Sequence, residues 1–269
     1  MWRFVALLMA LVAGVAAAVW YYRSAPTAAP VSVVARNEDK WLDDLQSRSP
    51  KDVEHATAEL EQRGTAALPI IRRTLQDPAS DLPRRRAALK ATAILGARAV
   101  ESIPEVAAAL ADPQYSAEAA LALSFMGSPA VPTLRDALLS DEPVVRREAL
   151  RTIGKLRERA SIDPQIVVPL LLNALKDADP AVRQVAVTYL GIVRDRPEEE
   201  VAGLIVALDD PQAEVRQAAA GALSSYGLDA EPAVKALTRA STSDADDDVK
   251  REAARALVHI SELKGKAQV

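Results

Sequence analysis

Nucleophiles, acid–base pairs and metal ligands are scarce in this 269-residue chain. The absence of cysteine removes disulfides, thiolate nucleophiles and cysteine-ligated zinc or iron–sulfur centres. Two histidines exist, His55 and His259, one near each end of the main body and neither followed by glutamate. They read as ordinary helix residues rather than halves of one metal site. Acidic runs at 198–200 and 244–248 have the composition of calcium ligands, but the second (DADDD) lacks the glycine and distant glutamate of an EF-hand loop. Capping of the helices they precede is the better reading. One basic residue recurs along the chain as Arg85, Arg146, Arg183, Arg216 and Lys250. Such a ladder invites a phosphate, yet Asp141, Asp179, Asp210 and Asp247 lie three to six residues before the last four. Pairing with a loop acid or carbonyl of an adjoining unit is therefore expected. The triplet Arg84-Arg85-Arg86 is the densest basic spot, open to lipid headgroups, an acidic partner or plain solvation.

Those residues sit in a chain that is 49% apolar with only ten aromatic side chains and 53 alanines. That much apolar surface excludes a disordered chain. The shortage of aromatic residues argues against a β-sandwich or barrel, and an Ala/Leu-rich chain with 26% charge reads as helical. Residues 36–269 carry 31 basic and 37 acidic side chains, the reverse of the excess a nucleic-acid binder uses against phosphates. Beyond residue 35, Trp41 and Phe125 are the only Trp and Phe, too few for a base-stacking groove. Neither nucleic acid, metal nor cofactor is expected.

Residues 4–22 form an uncharged run of 19 between Arg3 and Arg23. A helix of that length is nearly 30 Å long at about 1.5 Å per residue, enough to cross a bilayer core. Trp2 with Arg3, and Trp20, Tyr21 and Tyr22 with Arg23, have the character of the two interfacial belts. The pattern predicts a membrane anchor over 1–23 and a Pro/Ala-rich linker over 24–36. A cleaved signal peptide competes with it, although bulky Trp20-Tyr21-Tyr22 stands where small residues would precede cleavage. The short leading tail favours a single-pass protein of a bacterial-type inner membrane with its body extracytoplasmic. Lys/Arg counts at the two ends are too close to decide orientation.

Residues 37–269 repeat themselves. VVRREALRTIG (144–154), AVRQVAVTYLG (181–191), EVRQAAAGALSSYG (214–227) and DVKREAARALVHI (248–260) share a basic residue, alanine three positions on and a large aliphatic residue seven on. Weaker anchors at Val53, Arg85 and Ser116 extend the frame, giving spacings of 32, 31, 30, 37, 33 and 34 residues. Alanine at +3 and an aliphatic residue at +7 share one helix face, where small side chains let helices approach closely. A second helix follows in each unit except the last, usually opening on Pro69, Pro104, Pro132, Pro169 or Pro232, with Ala202 in the remaining one. Acid–proline turns (Asp77-Pro78, Asp112-Pro113, Glu142-Pro143, Asp179-Pro180, Asp210-Pro211) join the units, the acid placed to cap the next helix. Two helices at a period near 33 make an α-solenoid of about seven units. A short helix over 38–48, with Trp41, Leu42 and Leu45 on one side, would cap its start, and 250–263 its end.

The pattern D-P-x-x-x-V-R-x-x-A-x-x-x-L-G followed by P-x-L-x-x-A-L resembles the HEAT-repeat family, in the short form named for phycobilisome lyases. The resemblance covers about residues 50–262. It implies an all-α, right-handed solenoid whose second helices line a concave face. Di-iron hydroxylases of this fold carry repeated His-Glu pairs, which this chain lacks. Nothing here supplies a distinctive chromophore contact of the lyase kind.

On the second helices, one flank row reads Arg72, Ala107, Arg135, Leu172, Ile205 and Lys235. The neighbouring row reads Arg73, Ala108, Asp136, Asn173, Val206 and Ala236. Central units thus place Leu172, Ile205 and Val206 where outer units place charge. Two readings stand: an apolar strip with a basic rim for a protein or peptide partner, or helices buried more deeply by curvature. The sequence therefore points to a non-catalytic, membrane-anchored scaffold. The alternatives are an accessory subunit of a chromophore- or cofactor-attachment lyase, and a secreted solenoid.

Overall fold

The computed structural model describes residues 39–159 and 161–267. The proposed anchor, its interfacial residues and the linker lie outside them, and among the described residues no helix is long and apolar enough to cross a membrane. Within them the chain forms fourteen α-helices, several 3-10 turns and no strand.

Helix α1 (Lys40–Asp44) buries Trp41 and Leu42, and Leu45 just beyond is buried too. Helices then alternate: α2 (Pro50–Arg63) with α3 (Leu68–Gln76), α4 (Leu82–Leu95) with α5 (Ile103–Ala108), and α6 (Ser116–Met126) with α7 (Val131–Ala137). They continue as α8 (Pro143–Glu158) with α9 (Pro164–Ala174), α10 (Pro180–Val193) with α11 (Pro197–Ala207), and α12 (Ala213–Ser225) with α13 (Val234–Ser243). The last first-helix, α14 (Asp247–Ala267), stands without a second. First helices stack on first helices in one layer, and each second helix, in the other, packs chiefly against the first helix of the next repeat. The result is a solenoid with one continuous core.

The sequence frame explains that core. The seven alanines at +3 (Ala56, Ala88, Ala119, Ala149, Ala186, Ala219, Ala253) are all at most 1% exposed. Each sits where two first helices press together, and a larger side chain would hold them apart. Gly154 and Gly191 extend the same logic. A β-carbon on Gly154 would stand 2.2 Å from the Tyr189 ring, and one on Gly191 2.9 Å from Ala222.

The basic ladder is structural, but its carboxylates come from the following repeat, not from the preceding turn. Arg146 grips Asp177 with Nε and Nη2 at 2.8 and 2.7 Å while Nη1 donates to the Ser140 carbonyl. Arg183 repeats this with Asp210 and the Asp177 carbonyl, and Arg216 with Asp244 and the Asp210 carbonyl. Each guanidinium therefore ties its own entry turn to the next one, and its planar fork suits the bidentate job. Arg85 keeps the Asp77 carbonyl but meets the Tyr115 hydroxyl in place of a carboxylate. Lys250 pairs only locally, with Asp247. Of the five turn acids before proline, Asp179 alone caps its helix, accepting the Ala181 and Val182 N–H groups. Ser49, Asp81 and Asp163 cap α2, α4 and α9.

Two prolines depart from expectation. Pro169 lies inside α9, which begins five residues earlier on the Asp163 cap, and Pro232 falls in a 3-10 turn ahead of α13. In four repeats a glycine with positive φ (Gly64, Gly96, Gly127, Gly227) leads into a 3-10 turn, delaying the second helix. The repeats of α8–α9 and α10–α11 have no such glycine, and their second helices begin five residues ahead of the aligned positions Pro169 and Ala202.

Candidate partner-binding surface

The candidate residues occupy the second-helix layer but differ in availability. Arg72 is held by Glu105, its Nε and Nη2 at 2.9 and 2.8 Å from Oε1. That bond holds the guanidinium above its ordinary basicity. Leu172 and Ile205 are half-buried against the core, so burial accounts for most of their apolar character. Arg73, Arg135, Val206 and Lys235 are exposed, Val206 to 73%.

Three depressions mark this layer. The first, about 460 Å³, lies beside α3 and includes Arg72, Arg73 and Glu101. A second, about 480 Å³, lies between α7 and α9 and is lined by Pro132, Arg135, Leu139, Leu170, Asn173 and Lys176 among others. The third, about 690 Å³, lies between α9 and α11, where Pro169, Leu172, Asn173, Lys176, Gly203 and Val206 meet. Asn173 and Lys176 belong to both of the last two, so α9 is a ridge between adjoining grooves. The structure brings Arg135, Leu172 and Val206 onto this shared surface, places Arg72 and Arg73 in a separate depression, and leaves Lys235 in none of the three.

Sequence reasoning missed two contributors. Leu139, in the turn after α7, is 83% exposed and lines the α7–α9 groove. An aliphatic residue in a polar turn (LLSDE) was its only signal. Gly203 is the other, a lone glycine inside a helical pattern. A β-carbon there would stand 2.7 Å from Leu172 Cδ2, so the missing side chain lets Leu172 lie flat on α11 and form the groove floor.

Behind α11, Glu200 is fully buried. It accepts the Arg196 and Asp195 N–H groups at 3.1 and 3.3 Å, and its Oε2 lies 3.0 Å from the Tyr226 hydroxyl. That hydroxyl sits 2.6 Å from the Leu190 carbonyl. Burial pushes the Glu200 carboxyl above its ordinary range, with the N–H groups and hydroxyl only partly opposing it. Asp195 is meanwhile forked by Arg157 at 2.6 and 2.7 Å, closing the turn between α10 and α11. The acidic run 198–200 is thus a helix-start device: Glu200 folds back on the N–H groups of the two residues that lead into α11, and Glu199 pairs with Arg196.

The basic triplet is likewise occupied, Arg84 by Asp43, Arg85 as above, and Arg86 by Glu118 and the Gln114 carbonyl. His55 and His259 are exposed, and among the described residues no three acid or histidine groups converge as metal ligands.

The HEAT-repeat model matches residues 103–164 and 168–258, more than half of the chain. The chain belongs to the HEAT-repeat family. Among solved structures, the CpcE–CpcF complex of phycocyanin lyase from Nostoc sp. PCC7120 is similar at 24% identity and a TM-score of 0.51, covering 58% of this chain and 98% of that one. An archaeal HEAT-like repeat protein from Thermococcus onnurineus NA1 is similar at 15% identity and TM-score 0.50, with 87% and 99% covered. A Kap121p mutant matches at 15% identity and TM-score 0.60, this HEAT chain covering 27% of its length. Identities this low show the fold alone. No curated protein matches the chain in sequence.

Proposed function

We propose that this HEAT-repeat chain is a non-catalytic scaffold, anchored in a membrane by residues 1–23, that docks a protein or peptide partner on the second helices of its central repeats. One observation carries the reading. Leu139 and Val206, the two most exposed large apolar side chains among the described residues, both line the adjoining grooves around α9. Exposed aliphatic side chains clustered in a groove cost solubility unless something covers them. The family's concave face, lined by second helices, would gather them toward one ligand. Similar structures include Kap95p bound to RanGDP and the two-chain phycocyanin lyase complex, both assemblies of a repeat protein with another chain. The anchor would concentrate the partner at a bacterial-type inner membrane, with the body on its extracytoplasmic side.

Site-specific photo-crosslinking in cells tests this reading. A photoreactive residue at position 139 or 206 should capture one reproducible protein, while the same group at Ile192, exposed on first helix α10, should not. Equal capture from all three positions would contradict it. Fractionation of the same cells tests the anchor, with intact chain expected in the membrane pellet. A soluble chain lacking residues 1–25 would establish a cleaved leader instead.

A further inference from the structure

The docking surface, if that reading holds, also has a charge preference. Four of the five carboxylates lining the two grooves are already neutralised: Asp177 by Arg146, Asp210 by Arg183, Asp209 by Arg239 and Glu199 by Arg196. Asp136 is the fifth. Arg135 and Lys176 line the same surface and make no ion pair within the described residues. The groove is therefore cationic on a body whose acids outnumber its bases 37 to 31. We propose that its occupant is an acidic, aliphatic peptide segment.

Both halves follow from desolvation and field. A basic segment would find only Asp136 unpaired and would have to break arginine pairs, bidentate at Asp177 and Asp210, to use the other four carboxylates. An acidic one meets two free cations against the single unpaired carboxylate of Asp136 and breaks no existing pair. Leu139, Leu172 and Val206 ask for aliphatic side chains. Neighbouring helices lie about 10 Å apart, so a strand crossing α7, α9 and α11 spans about 20 Å, roughly six extended residues at about 3.3 Å each. Alternate side chains of a strand face opposite ways. Every second residue can then enter a groove while carboxylates reach Arg135 and Lys176. Asn173, exposed on the ridge, offers an amide donor and acceptor to the crossing backbone.

Two fluorescein-labelled octapeptides, one alternating Leu and Glu and the other alternating Leu and Lys, test this against the full chain in zwitterionic nanodiscs. Fluorescence anisotropy is the readout, with empty discs as blank. The Glu peptide should bind at least tenfold more tightly than the Lys peptide and weaken as salt rises. The double variant Arg135→Glu/Lys176→Glu should erase or invert the preference, and Val206→Asp should weaken the Glu peptide at least tenfold. All three side chains are exposed, so circular dichroism and melting should match wild type. Equal or tighter binding of the Lys peptide would overturn the acidic occupant. If that binding were lost in Val206→Asp, the docking reading itself would survive. Binding of neither peptide, or a preference unmoved by the double variant, would also overturn the acidic occupant, leaving docking to the crosslinking result.

Discussion

Four repeats of this solenoid turn from first to second helix on a glycine, and two do not. The glycine turns at Gly64, Gly96, Gly127 and Gly227 use φ values between +53° and +83°, which only glycine adopts cheaply. They spend residues on a 3-10 turn, and the second helices that follow span six to ten residues. In the two central repeats α9 and α11 each run eleven residues from Pro164 and Pro197. In the α10–α11 turn side chains replace the glycine: Arg157 forks Asp195, and Glu200 accepts the Asp195 and Arg196 N–H groups just ahead of α11. These longer helices wall the largest of the three grooves. Local turn chemistry, not overall composition, sets how long a second helix each repeat presents.

The largest expected effect falls on the ladder. Arg183→Ala leaves Asp210 mostly buried without its partner and should cost about 3 kcal/mol in chemical denaturation. Arg85→Ala removes only neutral acceptors, Tyr115 and a carbonyl, and should cost nearer 1 kcal/mol. Equal losses would mean that the carboxylate adds nothing.

Next come the buried glycines. Gly154→Ala drives a methyl into the Tyr189 ring, and about 2 kcal/mol should be lost on overpacking. Gly203→Ala meets only the side-chain ends of Leu172 and Leu175 and should cost less than about 1 kcal/mol. It should nonetheless weaken partner capture, because the groove floor moves. Unchanged capture would remove Leu172 from the docking surface.

Acid should separate the two devices in opposite directions. Hydrogen bonds from Arg146 and Arg216 hold Asp177 and Asp244 below their ordinary range. Burial alone would raise Asp210, but Arg183 and the Gln212 N–H outweigh it and lower it as well. Carboxyls whose folded values are depressed stabilise fully above their unfolded value near 3.9, and that stability fades as pH falls through it. Glu200 is raised, so its ionisation costs stability as pH climbs past its unfolded value near 4.3. Melting curves of Glu200→Gln should therefore lose the mild destabilisation of wild type above that pH while keeping its collapse below pH 4. A Glu200→Gln profile parallel to wild type would mean that the carboxyl ionises in the fold as freely as in the unfolded chain.

The periodicity revealed the layers, because alanine at +3 and an aliphatic residue at +7 repeat a packing rule that needs no tertiary information. Arginine partners were hidden. Arg146, Arg183 and Arg216 reach 27 to 31 residues onward, whereas aspartates four to six residues away looked closer in sequence. Pro169 misled because α9 opens on Pro164 and its Asp163 cap five residues earlier, in the repeat whose ladder arginines stand 37 residues apart. Among candidate site residues, Arg135 and Val206 were legible as helix-flank positions. Arg72 was not legible as a paired group, since Glu105 belongs to the next repeat.

Partner capture by the double variant Leu139→Asp/Val206→Asp tests the central claim most directly. Both side chains are more than 70% exposed, so folding should be spared and melting should stay within about 1 °C of wild type. The account predicts that the protein captured by a photoreactive residue at position 135 of the otherwise wild-type chain is no longer recovered when the same probe is placed in this variant. Undiminished recovery, with the variant folded, would place the partner elsewhere on the solenoid and contradict it.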